Sequence, residues 1–179
     1  GARNREASEL PGVVDYVHAG GARVHLALTA PVRPAAVDEF AVVLAAGYLA
    51  GIDAVIIRDE ALMAAVRELA PDLPIHASTQ YGVATAAAAR RAGELGCRRV
   101  ILARELSAAA IAAIVREVPE LEYEVFVFGA MCFAVSGQCL LGEAVAGRSG
   151  NYGACCQPCR LEFFAEDGRP LGRPFSMKD

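Results

Sequence analysis

Residues 54–78, Ala54-Val-Ile-Ile-Arg-Asp-Glu-Ala-Leu-Met-Ala-Ala-Val-Arg-Glu-Leu-Ala-Pro-Asp-Leu-Pro-Ile-His-Ala-Ser78, decide the fold. Two short apolar runs, 54–58 and 75–78, flank a segment in which Leu and Val recur at helical spacing. Each run is almost continuously apolar, which is typical of parallel strands that are buried on both faces. Pro71 follows the helical segment and marks its end. The stretch therefore predicts a strand, a helix and a second strand parallel to the first.

The same alternation extends along the chain in both directions. The predicted strands begin at intervals of 30, 21, 24 and 24 residues, which is the repeat length of βα units joined by short loops. These strands cover Val24–Thr29, Ala54–Arg58, Ile75–Ser78, Arg99–Ala103 and Tyr123–Phe128. Helices are predicted at Pro34–Ala50, Glu60–Ala70, Gly82–Leu95 and Ser107–Val118.

Repeated parallel units fit either part of an eight-unit barrel or an open doubly wound sheet. No Gly-x-Gly-x-x-Gly follows a predicted strand, so a dinucleotide-binding open sheet has no support. The expected fold class is α/β, with βα units in a partial TIM-like barrel of parallel strands and a long Gly/Cys-rich loop near the C-terminus. The open edges would need the rest of the barrel, or a second copy of the chain, to cover them.

Composition narrows the class of protein further. The chain has 179 residues, 55% of them hydrophobic, a mean hydropathy of +0.35 and a net charge of -4. This charge argues against nucleic-acid binding through a general spread of Lys and Arg. We expect no membrane span, a cytoplasmic location and reduced thiols. We expect a barrel core at 1–128 and a Cys-rich loop and C-terminal segment of the same domain at 129–179, with both ends cut from a longer protein.

Five of the six cysteines fall on a Gly-rich stretch after the last predicted strand. Cys132, Cys139, Cys155 and Cys159 are separated by 7, 16 and 4 residues, unlike paired zinc knuckles or a bacterial ferredoxin run. In a reducing compartment such a group is more typical of a metal site than of disulfides. The spacing leaves open zinc, iron–sulfur and a role for Cys132 and Cys139 as small core residues. It also leaves open whether Cys155 or Cys156 is the ligand.

In a parallel barrel, catalytic residues gather at the carboxyl ends of the strands. This rule selects His76 and Gln80 at the third strand, and Arg104 and Glu105 after the fourth. His76 is either a proton carrier or a core histidine. The Arg104–Glu105 pair either binds a carboxylate or phosphate, or forms a solvated loop. Gly-x-Ser-x-Gly and His-Glu-x-x-His are both absent, so the sequence shows no hydrolase machinery of these kinds.

The segment from Glu124 to Cys139 reads Glu-Val-Phe-Val-Phe-Gly-Ala-Met-Cys-Phe-Ala-Val-Ser-Gly-Gln-Cys. It resembles the signature of peptidase family U32, E-x-F-x-x-G-[SA]-[LIVM]-C followed by four residues and G-x-C, at every position. The stretch Gly147-Arg-Ser-Gly-Asn-Tyr-Gly-Ala-Cys-Cys-Gln-Pro-Cys159 continues the resemblance. So do 74–80, 100–106 and 175–179. Arg58 and Phe128 depart from the pattern, because many relatives have Gln and His at these positions.

The resemblance implies a barrel-like catalytic domain and an oxygen-independent hydroxylase with a [4Fe-4S] cluster. It implies RNA as the substrate, at an rRNA cytidine or a tRNA uridine, with prephenate as a co-substrate. The implied cluster ligands are Cys132, Cys139, Cys155 and Cys159. With Glu124, which opens the signature, the candidate catalytic residues are His76, Gln80, Arg104, Glu105 and Glu124. The alternatives are a collagenase-like peptidase, hydroxylation in anaerobic ubiquinone synthesis, and a structural zinc module. If both ends are cut from a longer protein whose other segments are needed for catalysis, this chain alone is expected to be inactive.

Overall fold

A computed structural model describes residues 6–129 and 132–175 of the chain. Five parallel strands form one sheet, and their order in the sheet follows their order in the chain. The strands are β1 His25–Leu28, β2 Ala54–Ile57, β3 Ile75–Ala77, β4 Cys97–Ile101 and β5 Glu122–Glu124. A helix lies in each connection between neighbouring strands. The predicted α/β fold with alternating βα units is therefore confirmed, and its strand order is consistent with part of a barrel.

Six helices surround or follow the sheet in the described residues. They are α1 Leu10–Ala19, α2 Val37–Ala50, α3 Glu60–Leu69, α4 Ala86–Glu94, α5 Ala108–Glu117 and α6 Leu141–Ala146. Asp59, Thr85 and Ser107 cap α3, α4 and α5, because their side-chain oxygens accept hydrogen bonds from N–H groups of the first turn. Helix α4 begins later than predicted, since Thr79–Tyr81 forms a separate 3-10 turn before the cap at Thr85.

Helix α1 was not expected from the sequence. Only Leu10 and Val14 of this helix are buried, while most of its other residues are exposed or partly exposed. Helix α1 packs against α2, and Val14 joins the hydrophobic core. Two buried apolar residues give too weak a periodic pattern to predict a helix from sequence.

The two faces of the sheet differ in character because successive side chains of a strand point to opposite faces. One face pairs an apolar row across the strands, Leu28, Ile57, Ala77, Val100 and Tyr123. This row packs in one core with helical residues such as Met63, Val66, Ala89 and Ile114. The opposite face carries the row Ala27, Ile56, His76, Arg99 and Glu122. This second face is thus partly charged, and it is called the charged face below.

The last strand is shorter than predicted. Strand β5 ends at Glu124, whereas the sequence predicted a strand as far as Phe128. The four residues that follow are exposed, from 39% at Val125 to 97% at Phe128. No strand in the described part of the chain pairs with the outer edge of β5. The prediction was wrong because an apolar run extends a strand only where a neighbour pairs with it and covers it.

The segment after β5 is not the single long loop expected from the sequence. It contains α6, 3-10 turns at Gly150–Tyr152 and Pro158–Arg160, and an antiparallel hairpin of two strands. The hairpin strands are β6 Phe163–Phe164 and β7 Pro170–Gly172. Across residues 6–129 and 132–175, no helix has both the length and the apolar character needed to cross a membrane.

Candidate functional site

A cavity of about 200 Å³ lies where the loops after β3 and β4 meet residues 132–160, which are called the cysteine-bearing segment below. It is lined by Gln80, Arg104, Cys132, Val135, Gly137, Cys139, Gly150, Asn151, Cys155, Gln157, Cys159 and Arg160. The four cysteines of the family resemblance therefore share one cavity with two of the candidate catalytic residues. Cys156 is exposed and does not line the cavity, although it adjoins Cys155.

The sixth cysteine belongs to the core. Cys97 begins β4, is 4% exposed, and its Sγ lies 3.6 Å from Sδ of Met63. Burial raises the pKa of the Cys97 thiol to about 11, so the thiol stays neutral at ordinary pH. Cys97 is therefore a packing residue of the core, and it does not line the cavity.

Glu105 connects the sheet to the cysteine-bearing segment. The backbone N–H of Ser136 donates to Oε1 of Glu105 at 3.1 Å, and the Ser136 hydroxyl donates to Oε2 at 2.8 Å. The backbone N–H of Arg104 donates to Ser136 Oγ at 3.3 Å. Burial alone would raise the pKa of Glu105, but these bonds from Ser136 outweigh it and lower the pKa. Glu105 is thus an ionised acceptor for a buried serine, not a group that lines the cavity.

Arg58, which follows β2, makes a second connection between the sheet and the cysteine-bearing segment, together with Gln80 in the loop after β3. Arg58 Nη1 donates to Gln80 Oε1 at 3.2 Å, and Nη2 donates to the carbonyl oxygen of Gly137 at 3.3 Å. Gly137 has a φ of 76°, and a Cβ atom there would collide with the backbone carbonyl of Gln80. Only glycine fits this close approach without moving one of the two backbones. Arg58, a departure from the family pattern, therefore fixes Gln80 beside the segment between Cys132 and Cys139.

The other half of the cysteine-bearing segment is held by amide groups. Asn151 Nδ2 donates to the carbonyl oxygen of Cys139 at 2.9 Å, which joins the two pairs of cysteines. The backbone N–H of Gln157 donates to Cys155 Sγ at 3.4 Å. Gln157 has a φ of 54°, a left-handed conformation that is uncommon for a non-glycine residue. A backbone N–H aimed at a sulfur is the contact that stabilises a thiolate or a metal-bound thiolate.

The thiols of the cavity suit a soft metal centre, because zinc and iron–sulfur clusters both take thiolate ligands. In the ranges 6–129 and 132–175, however, no three His, Cys, Asp or Glu side chains already form the ligand sphere of a metal ion. A single zinc ion would need every sulfur about 2.3 Å from one point. A [4Fe-4S] cluster places each cysteine on a different iron, so its ligands surround a larger object. The four cysteines line one cavity, which is the arrangement that a cluster with one thiolate on each iron requires.

His76 lies on β3 but does not line the cavity. Its side chain is 4% exposed, its Nδ1 has no hydrogen-bond partner, and its ring packs edge-on against His25 at a centroid distance of 4.8 Å. Burial first, and then the positive charge of Arg99, lower the pKa of His76 to about 4. His76 is therefore a neutral histidine in the charged face of the sheet at ordinary pH.

Glu124 also lies away from the cavity. It ends β5, and its Oε2 is 3.7 Å from Nη1 of Arg99. Arg99 makes a shorter pair with Glu122, 2.6 Å between Nη2 and Oε2. Glu124 thus belongs to the charged face of the sheet, together with His76. Of the five candidate catalytic residues, only Gln80 and Arg104 line the cavity.

Sequence reasoning missed several residues of this site. Ser136, Asn151 and Gln157 have no role in the sequence interpretation, yet they make the contacts that organise the cysteine-bearing segment. Ser136 lies directly before Gly137 in the signature, and this adjacency was the one signal available in the sequence. Ala130 and Met131, which belong to the same signature, lie outside the described residues.

The chain is similar in sequence to proteins of one known family. The model of the peptidase U32 family matches residues 1–178. The "tRNA hydroxylation protein P" of Escherichia coli strain K12 is 42% identical over 119 residues, which are 66% of this chain and 26% of that protein. The "23S rRNA 5-hydroxycytidine C2501 synthase" of the same strain is 33% identical over an alignment of 188 positions, which covers 100% of this chain and 28% of that protein.

A solved structure has the same fold. The structure of the U32 peptidase Mk0906 superposes with a TM-score of 0.61 at 22% identity, over 95% of this chain and 71% of that one. The chain spans about a quarter of the length of the two curated relatives described above. The family model covers nearly every residue, including the signature that contains Cys132 and Cys139. The chain belongs to peptidase family U32.

Proposed function

We propose that this chain is part of an RNA hydroxylase in which Cys132, Cys139, Cys155 and Cys159 bind a [4Fe-4S] cluster. The observation that carries the proposal is that these four thiols line one cavity with Gln80 and Arg104. The names of the relatives support the reaction class, since one is a tRNA hydroxylation protein and another makes 5-hydroxycytidine in 23S rRNA. Cys155, not Cys156, is the proposed ligand because it lines the cavity.

The cluster would supply one-electron chemistry at the cavity. The residues of the chain provide binding and orientation around it. Arg104 and Arg160 bring two guanidinium groups to the lining, and Gln80, Asn151 and Gln157 bring three carboxamides. The guanidinium of Arg104 is the group through which the lining would bind an anion. Prephenate, which carries two carboxylates, is the proposed co-substrate for this position.

The surface beside the cavity has groups that suit single-stranded RNA. The guanidinium of Arg33 lies over the ring of Tyr152, 4.6 Å from the centroid, and Tyr152 is 41% exposed. Arg148 is exposed at the end of α6, close in sequence to Tyr152. Proteins read unpaired RNA by stacking bases on aromatic rings and guanidinium planes, and they hold its phosphates with Arg. This set of side chains supports RNA as the substrate despite the net negative charge.

The sheet is proposed to be part of a larger barrel. The outer edge of β5 has no partner in the described residues, and Phe126, Val127 and Phe128 beyond it are 60%, 91% and 97% exposed. The opposite face of the sheet carries the partly exposed charged side chains of Arg99, Glu122 and Glu124. Further strands, from the rest of the protein or from a second copy, would bury both.

A peptidase has less support from the geometry. A cysteine nucleophile needs a histidine within hydrogen-bond reach, and the residues that line the cavity include no histidine. His76, the candidate for that role, lies on the charged face of the sheet and not at the cavity.

Metal and sulfide analysis of the full-length protein tests the proposal. After anaerobic reconstitution with iron and sulfide, we expect a brown protein with four iron and four acid-labile sulfide atoms per chain. The matched control is a variant in which all four lining cysteines are serine, and it should remain colourless. A wild-type protein that stays colourless, or that binds zinc and no sulfide, would contradict the proposal.

A further inference from the structure

We propose that Glu105 is a positioning residue, which holds the segment between Cys132 and Cys139 against the end of the sheet so that both thiols face the cavity. Glu105 follows β4, whereas the segment follows β5, so the contact joins two separate loops. The proposal rests on the proposed function for the identity of the bound group. It assigns Glu105 a role other than contact with the substrate.

The contact is specific because it satisfies a buried residue. Ser136 is 1% exposed, and both its N–H and its hydroxyl donate to the carboxylate of Glu105. A buried donor that loses its acceptor pays a desolvation cost, so loss of the Glu105 carboxylate destabilises Ser136 in this position. An ionised carboxylate that accepts two hydrogen bonds is also a stronger partner than a neutral oxygen.

The same contact reaches the lining of the cavity. Arg104 donates to Ser136 Oγ from its backbone N–H and, at 3.4 Å, from its Nε. Arg104 itself lines the cavity, as do Cys132 and Cys139 on either side of Ser136. A change at Glu105 should therefore move the cysteines and Arg104 together, whereas a change in a surface charge elsewhere should move neither.

Hydrogen exchange of the apo protein tests the positioning role without any cluster. In the full-length Glu105→Ala protein, the amides of residues 133–138 should exchange about tenfold faster or more, because a hydrogen bond to a charged group is lost. The control is Glu117→Ala, which removes an exposed carboxylate on α5 that pairs with Arg90 at 3.2 Å. The control should leave exchange in 133–138 unchanged. Equal protection of this segment in wild type and Glu105→Ala would overturn the proposal.

The reconstituted protein gives a second readout that loss of stability alone would not move. The electron paramagnetic resonance spectrum and midpoint potential of the reduced cluster should shift in Glu105→Ala and not in Glu117→Ala. If Glu105→Ala does not fold, Ser136→Ala replaces it, since it removes the hydroxyl without changing charge. A spectrum and potential identical to wild type in the folded variant would overturn the proposal. A wild type that takes up no iron would contradict the proposed function instead, and the exchange result would still decide the role of Glu105.

Discussion

The backbone of Gly137 lies directly against the carbonyl group of Gln80, so that a Cβ atom at residue 137 would collide with it. Gly137 holds a φ of 76° at this contact, and its own carbonyl oxygen accepts a hydrogen bond from Arg58. The two residues belong to different loops, one after β3 and one in the cysteine-bearing segment. Their contact therefore sets how closely the cysteines approach the end of the sheet.

Gly137→Ala should displace the cysteine-bearing segment and reduce iron binding. An alanine there would pay about 1–2 kcal/mol for the left-handed backbone and a further cost for the collision with Gln80. We expect the free energy of unfolding to fall by more than about 2 kcal/mol, and iron content after reconstitution to fall at least severalfold. Urea unfolding and iron analysis would measure the two effects.

Gly153→Ala is the matched control for that variant. Gly153 has a φ of 73°, but a Cβ atom there would meet nothing within 4 Å. This variant pays the backbone cost alone, so it should lose about 1–2 kcal/mol and keep its iron. Equal loss of iron in both variants would show that the close approach of Gly137 to Gln80 is not needed for iron binding.

Two adjacent cysteines give a direct test of which one is the ligand. Cys155 lines the cavity and accepts a hydrogen bond from the Gln157 N–H, whereas Cys156 is exposed and does not line it. Cys155→Ser should therefore lower iron and sulfide content severalfold and change the visible spectrum after anaerobic reconstitution. Cys156→Ser should match wild type in both measurements. The reverse pattern would assign the ligand to Cys156.

The fold was more predictable from the sequence than the site. Strands β2 and β3 are largely apolar runs that are buried between two paired neighbours, so composition and burial agree there. The run at 125–128 has the same composition but no neighbour, and a strand pattern cannot report whether a partner exists. Helix α1 was missed for the opposite reason, since only Leu10 and Val14 give it a buried face.

The site depends on contacts that sequence spacing does not encode. The family resemblance named the four cysteines, but the bond between Glu105 and Ser136 joins residues 31 positions apart. The rule that barrel chemistry lies at strand ends selected Gln80 and Arg104, and both line the cavity. It placed His76 there as well, although His76 lies within β3 and its side chain is on the charged face of the sheet.

The buried, neutral state of His76 predicts a loss of stability in mild acid. The pKa of His76 is about 4 in the folded chain against an ordinary 6.5, so below pH 6.5 the unfolded chain binds a proton that the folded chain does not. The free energy of unfolding should fall as the pH drops from 6.5 towards 4, by at most roughly 3 kcal/mol from this group. Urea titrations at several pH values would measure it.

His76→Phe isolates this contribution from those of the carboxylates, which also titrate in acid. The variant has no group at residue 76 to protonate, so its free energy of unfolding should fall less than that of wild type over the same range. Parallel curves for the two proteins between pH 6.5 and 4 would show that His76 is not held neutral by its surroundings.

Arg104 should govern the affinity of the cavity for an anionic co-substrate. Arg104 lines the cavity, and its guanidinium is fixed there because Nε donates to Ser136 Oγ at 3.4 Å. Loss of a charge-assisted hydrogen bond costs about 1.5–3 kcal/mol, so Arg104→Gln should weaken prephenate binding about tenfold to a hundredfold. Isothermal titration of the reconstituted full-length protein with prephenate would measure the dissociation constant. Arg116→Gln, which removes an exposed positive charge from α5, controls for net charge and should leave binding unchanged. Equal affinity in all three proteins would place the anion elsewhere, because a site that uses Arg104 cannot keep its affinity without the guanidinium.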